Sequence, residues 1–122
     1  MRQGRKLTGG RYKRSRKKKL HELPRQPRTT KLRERKLKKI RARGGAIKTT
    51  LLSEKSVNLS TKKGVVRTEI LNVLETPQNV FLARQNILLK GAIVETPLGK
   101  ARITNRPGQE PMVNAVLLEE KD

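Results

Sequence analysis

Apolar and polar positions divide this chain into two unlike parts. Residues 1–30 show no apolar period, and Gly4, Gly9, Gly10, Pro24 and Pro27 interrupt any helix longer than a few turns. From Val57 onward, short runs of Val, Ile and Leu recur at a spacing of roughly 8–12 residues with Gly and Pro between them, the pattern of short strands. Val57 and Leu59 precede a Lys62-Lys63-Gly64 turn, and VVRTEILNVLE (65–75) reads as a strand that stops before Pro77. PQNVFLARQN (77–86) has room for one helical turn, with Val80, Phe81 and Leu82 as a plug for the core. Ile87 to Leu89 leads into Lys90-Gly91, where the glycine predicts a bulge or bend. AIVET (92–96), Pro97-Leu98-Gly99 and KARIT (100–104) make a hairpin. Its second strand alternates, with Ala101 and Ile103 facing in and Lys100, Arg102 and Thr104 facing out. After a turn over 105–111, MVNAVLL (112–118) is the last strand, and the acidic pair at 119–120 frays.

Residues 31–52 fit two patterns. Leu32, Leu37 and Ile40 are loosely spaced for a helix, and Lys, Arg and Leu are good helix formers. Like charges without acidic partners at i+4 weaken that helix. The competing pattern is a hairpin over 38–52: Gly44-Gly45 supplies the positive-φ pair of a tight turn, and Thr49 and Thr50 favour strand beyond it. The hairpin is the better fit. The expected fold is mainly β: a small antiparallel β-barrel of about six strands, since closure would remove sheet edges. A long basic, largely non-globular N-terminal extension precedes it. The extension spans 1–37 and the body 38–122, with the first hairpin also basic.

Charge sharpens this division. The 122 residues, enough for one domain, carry 31 Lys and Arg against 10 Asp and Glu, a formal net of +21. Residues 1–48 hold 21 of those cations against only Glu22 and Glu34, whereas 49–122 hold 10 against 8 acids. A segment so charged and so poor in apolar surface does not fold alone, and it calls for a dense polyanion, of which nucleic acid is the obvious class. Fully extended, 30 residues reach at most about 100 Å, and the segment reads as an arm, disordered when free and ordered against phosphates when bound. The absence of Cys removes disulfides and thiolate metal sites. No apolar run approaches the roughly 18 residues of a membrane span, no secretory signal follows the basic start, and no apolar helix face accompanies the charge to suit a lipid surface.

Little in the chain suggests chemistry. His21 is the sole histidine, so neither a His-based metal site nor a triad can be assembled. The acids Glu69, Glu75, Glu95 and Glu110 are scattered, and there is no phosphate-loop or zinc spacing. We expect no catalytic residue, metal, cofactor or small-molecule substrate, and no homo-oligomer. The candidate binding residues are Arg2, Arg5, Lys6, Arg11, Tyr12, Lys13, Arg14, Arg16, Lys17, Lys18, Lys19, Arg25, Arg28, Lys31, Arg33 and Arg35 on the extension, and Arg41, Arg43 and Lys48 on the hairpin. Arg41 and Arg43 would share one strand face about 7 Å apart, matching successive phosphates. Gly9 and Gly10 let the backbone approach a phosphate, and Gly44 and Gly45 form the turn. Single-stranded binders stack bases on several rings, but Tyr12 is the only aromatic in the basic part, which favours a folded RNA read through backbone, shape and charge. The run at 14–19 also fits a nuclear-import signal. A DNA-compacting protein is the alternative class, although its body would more often be basic, and a dissociable translation factor is a third.

Four segments together resemble a known family: RKLTGGRYKR (5–14), IRARGG (40–45), LLKGAIVETPLGKARITNRPGQ (88–109) and VNAVLL (113–118) are similar to the archaeal and eukaryotic small-subunit ribosomal protein eight-e, in its compact archaeal form. The resemblance implies a small β-barrel with a basic extension threaded into small-subunit ribosomal RNA. It also implies neighbouring small-subunit proteins, a place on the cytoplasmic ribosome, and no cofactor or catalytic residue. Carried over by motif, Arg5, Lys6, Arg11, Arg41 and Arg43 would contact RNA, and Gly44 and Gly45 would turn the hairpin. Lys90-Gly91 and Arg106-Pro107-Gly108 would sit at barrel loops. Ala46 departs from the family's usual Asn after the double glycine, which bears on the turn's detail. The resemblance also supports strand over helix at 38–43.

Overall fold

Ten short strands and one helical turn make up the computed structural model, which describes residues 4–13, 16–24 and 26–118. The strands are β1 (Thr30–Lys31), β2 (Lys36–Arg41), β3 (Ile47–Ser53), β4 (Ser56–Thr61), β5 (Gly64–Glu69), β6 (Asn72–Glu75), β7 (Ile87–Leu88), β8 (Ile93–Thr96), β9 (Gly99–Ile103) and β10 (Asn114–Leu117), with α1 at Phe81–Arg84. They form a four-stranded sheet in the order β2-β3-β1-β7 and a six-stranded sheet in the order β5-β4-β10-β9-β8-β6. The core lies between them. Leu51 and Leu88 enter it from the first sheet, and Val57, Leu59, Val94, Ile103 and Ala115 from the second.

Three expectations are corrected. The strands do not close into an antiparallel barrel of six: there are ten among the described residues, in two open sheets. Both sheets are mixed, since β1 runs parallel to β3 (Lys31↔Ser53) and β10 parallel to β4 (Leu59↔Ala115). Parallel neighbours need a long crossover and leave no local turn signal, so residue spacing could not reveal them. The run 65–75 is two strands rather than one. Buried Ile70 sits at the break, its N–H donating to Lys55 O at 2.8 Å, while Leu71 N–H donates to Glu95 O at 2.9 Å. The chain thereby passes from one edge of the six-stranded sheet to the other, β5 pairing with β4 and β6 with β8.

The third correction concerns the apolar plug. The helical turn forms where expected, and Phe81 N–H at its start donates to Asn79 Oδ1 at 3.1 Å. However, Phe81 is 71% exposed and Val80 is exposed as well, while Ala83 packs against the core. Beyond the turn, Ile87 and Leu88 of β7 are both buried, and Leu88 belongs to the core cluster.

The predicted hairpins at 92–104 and around Lys62-Lys63-Gly64 are present, and they close alike. Thr96 Oγ1 donates to Gly99 O at 2.7 Å, and Thr61 Oγ1 donates to Gly64 O at 2.8 Å. Inward Ala101 and Ile103 are buried and outward Lys100, Arg102 and Thr104 exposed, as the alternation requires. The hairpin predicted over 38–52 is β2–β3, paired from Arg41↔Ile47 down to Lys36↔Ser53 with a bulge at Lys36/Leu37. Its loop holds three residues rather than two: Ala42 N–H donates to Ala46 O at 2.7 Å, enclosing Arg43, Gly44 and Gly45. Both glycines have positive φ, +72° and +80°.

The stretch set apart as extension, 1–37, contains a core strand. Thr30 is fully buried in β1 between β3 and β7, and its Oγ1 donates to Leu51 O at 3.2 Å. Leu32 N–H donates to Asn86 O at 2.9 Å, and Ser53 Oγ donates to Glu34 O at 2.6 Å. Arg28 O lies 3.0 Å from where a Cβ on Gly108 would stand, so the Arg106-Pro107-Gly108 loop closes on the chain just before β1.

Removing residues 1–26 is expected to leave a cooperative thermal transition, whereas removing 1–35 deletes β1 and should abolish it; scanning calorimetry of both truncations checks this. Gly45→Val places a β-branched residue in the left-handed region, at a cost of about 1–2 kcal/mol. A Tm lower by several degrees is expected, read by circular dichroism.

Candidate nucleic-acid interface

The hairpin β2–β3 is a basic finger because its sequence has no apolar face to bury near the tip. Alternation along β2 sends Lys39 and Arg41 to one side and Lys38 to the other, so cations occupy both. Lys36, Lys38, Lys39, Arg41, Arg43 and Lys48 are all exposed, and even Ile47 opposite Arg41 is 68% exposed. Arg43 begins the loop, so it does not continue the strand face of Arg41 as expected. Lys36, Lys38 and Lys39 were missing from the sequence-derived candidates. The signal was present in KLKKIR, whose cations cannot all face one side of a strand.

A second basic element is a small turn near the start of the chain. Arg5 and Arg11 form an isolated antiparallel bridge, Lys6 N–H donates to Gly10 O at 2.9 Å, and Gly9 N–H donates to Lys6 O at 2.9 Å. Gly9 makes this possible with φ +80°. Arg5 Nη1 donates back to Gly9 O at 3.1 Å, and Lys6 Nζ lies 5.7 Å from the Tyr12 ring centroid. Residues 5–12 thus hold one local shape that presents Lys6, Arg11 and Tyr12, all exposed.

Farther along, Lys13, Lys17, Lys18 and Lys19 are exposed, as are the described residues beside them. Arg16 forks onto Glu22, with Nη1 to Oε2 at 3.0 Å and Nη2 to Oε1 at 2.6 Å. Lys19 N–H donates to the same carboxylate at 3.0 Å, closing the 3₁₀ turn Leu20–Glu22, and His21 Nε2 lies 4.0 Å from it. The Arg16 guanidinium first, and the Lys19 N–H second, hold the Glu22 carboxyl below its ordinary range. A depressed carboxylate pKa stabilises the ordered turn above the unfolded value, and that contribution disappears as pH falls through the lowered one.

Two candidates are tied into the body. Half-buried Arg28 donates from Nη1 to Thr50 Oγ1 at 3.1 Å. Arg35 Nε pairs with Glu54 Oε2 at 3.2 Å, and its Nη2 donates to Pro111 O at 3.4 Å. Lys31 and Arg33 are exposed on and beside β1. Arg28 and Lys48 line one cleft of about 410 Å³ with Ile40, Thr50, Gly108 and Gln109, so the fold brings the hairpin base to the Arg106-Pro107-Gly108 loop. Gly91, with φ +82°, donates its N–H to Ile103 O at 2.8 Å at the bend before β8. Arg2, Arg14 and Arg25 lie outside the described residues, as do residues 119–120.

What these parts offer is fixed positive charge on two projections and a loop-lined cleft between the hairpin and the chain. Among the described residues no group of three His, Cys, Asp or Glu side chains could hold a metal ion, and no helix is long and apolar enough to cross a membrane.

Comparison with known proteins agrees with the motif resemblance. The family model for ribosomal protein S8e matches residues 1–118. A small ribosomal subunit protein eS8 of Nanoarchaeum equitans is 48% identical over 120 residues, covering 97% of this chain and 94% of that protein. The eS8 proteins of Staphylothermus marinus and Halorubrum lacusprofundi are 46% and 44% identical, each across 94% of this chain and 92% and 94% of their own lengths. With the match running unbroken through the basic arm, the hairpin and both sheets, the chain belongs to the ribosomal protein S8e family.

Proposed function

We propose that this protein is a structural constituent of the small ribosomal subunit, on the cytoplasmic ribosome, where it binds folded ribosomal RNA and adjoins other small-subunit proteins. The observation that carries this reading is the segregation of charge: nearly every described cation of residues 4–48 is exposed, on an arm and a finger that lack an apolar face. Membership of a ribosomal family supplies the polyanion that such a surface demands. The body docks on the RNA surface, while the arm enters between RNA helices and lowers their mutual repulsion. Arg5, Lys6, Arg11, Lys13, Arg16 to Lys19, Arg41, Arg43 and Lys48 contact phosphates by charge and guanidinium fork. Arg2, Arg14 and Arg25 extend the same charge run. The protein performs no chemistry: it positions RNA. Arg28 donates inward and sets the angle of the arm against the hairpin base.

Competition measures this directly. Small-subunit ribosomal RNA should displace the bound protein better than random duplex DNA at ~0.2 M salt, and ~6–10 phosphate contacts should weaken binding about 10³–10⁵-fold between 50 and 200 mM salt. Equal displacement by both competitors would point to a DNA-compacting protein instead.

A further inference from the structure

A polar cleft of about 180 Å³ lies on the body, where Arg35 of the N-terminal charge run meets β4 and β5. Arg35, Glu54, Ser56, Asn58, Arg67 and Pro111 belong to its wall. Glu54 is only 5% exposed, and a buried carboxylate is costly unless its oxygens are satisfied. Here they are. Oε1 accepts from Lys55 N–H at 3.2 Å, Ser56 N–H at 3.2 Å and Ser56 Oγ at 2.9 Å, while Oε2 faces Arg35 Nε at 3.2 Å. Ser56 Oγ accepts in turn from Arg67 Nη2 at 3.0 Å. One buried acid therefore orients two guanidiniums from distant parts of the chain, Arg35 directly and Arg67 through Ser56. Both arginines remain open to solvent, Arg35 with half its side chain and Arg67 as an exposed residue of β5.

Arg35 also borders a larger groove of about 550 Å³ whose wall includes Arg33, Lys36, Lys55 and the acid Glu34. The two concavities meet at Arg35 and run from the foot of the basic hairpin to β5. Beyond Arg67 the polar surface continues, since Asn58 pairs with Arg67 across the strands and donates from Nδ2 to Asn114 Oδ1 at 3.1 Å.

We infer that this cleft is a separate RNA contact on the body, holding one backbone phosphate between Arg35 and Arg67, with Glu54 as the positioning residue. The inference rests on the RNA-binding function proposed above and adds a site built where Arg35, at the end of the extension, meets Arg67 of the body. A guanidinium presents a planar fork of N–H donors that suits phosphate oxygens. Arg35 and Arg67 are already held in place, so less rotamer freedom is lost when a phosphate arrives. The Glu54 charge is offset by the Arg35 guanidinium paired with it at 3.2 Å, which leaves Arg67 as the net positive charge of the cleft. The continuous basic groove favours a phosphodiester chain over an isolated protein carboxylate as the occupant.

The test uses the full-length protein and a small-subunit ribosomal RNA transcript. R67Q should weaken binding roughly tenfold, the scale of one charged hydrogen bond, and make the log–log salt slope shallower by about one. In the wild-type protein, RNA should protect Arg67 from modification by phenylglyoxal. E54Q should weaken binding similarly, with little further loss in the E54Q/R67Q double variant, because both changes disable the same contact. Wild-type affinity and slope in R67Q, or unprotected Arg67 in the complex, would overturn the cleft while leaving the proposed function standing. Additive losses would overturn the positioning role of Glu54. A wild-type protein that shows no preference for ribosomal RNA would overturn both the cleft and the function beneath it.

Discussion

Repulsion among like charges is the constraint to which the rest of this molecule answers. Residues 1–48 carry a net of about +19 by formal count, on a chain whose aliphatic core is small. The cations cannot be buried, so they project from an arm and from a hairpin whose distal half lacks an apolar side. The few acids near them act as local ties. Glu22 gathers Arg16 and the Lys19 backbone, and Glu54 gathers Arg35 and, through Ser56, Arg67. Each tie removes one positive charge from the repelling set and fixes a guanidinium in direction.

The core tolerates this load because arm and body are stitched together by backbone rather than by charge. β1 contributes only two residues, yet it lies between β3 and β7 and carries the buried Thr30 hydroxyl to Leu51 O. Chain that emerges on the N-terminal side of β1 is therefore anchored in the four-stranded sheet, and the Gly108 backbone closes against Arg28 immediately upstream. The arm is consequently held at a defined exit from the body. β10 does similar work in the other sheet, joining β4 to β9 with one parallel and one antiparallel ladder.

Much of the candidate interface was legible from residue order alone. The charge division, the double-glycine hairpin and the KARIT alternation depend on neighbours one to four positions apart, and the structure has each of them. Other features were not. Arg28 and Arg35 read as two more arm cations, but their partners, Thr50 and Glu54, are about 20 positions away. Arg67 sits in an ordinary strand and becomes notable only because Ser56 and Glu54 lie behind it. Phe81 looked like core because it stands in the apolar run Val80-Phe81-Leu82, yet it is exposed while Leu88 joins the core cluster.

By itself, the sequence determined that this chain joins a strongly cationic N-terminal part to a small, nearly neutral β body, because net charge and strand periodicity are sums over local residues that no folding can alter. Its motif set also carried the family. Tertiary structure alone decided how many strands there are, that two open sheets take the place of a closed barrel, where the arm rejoins the core, and which arginines face solvent and which face Thr50 or Glu54. These are pairings between segments far apart in the chain, set by which edges and side chains meet when the core closes, and residue spacing holds no record of them.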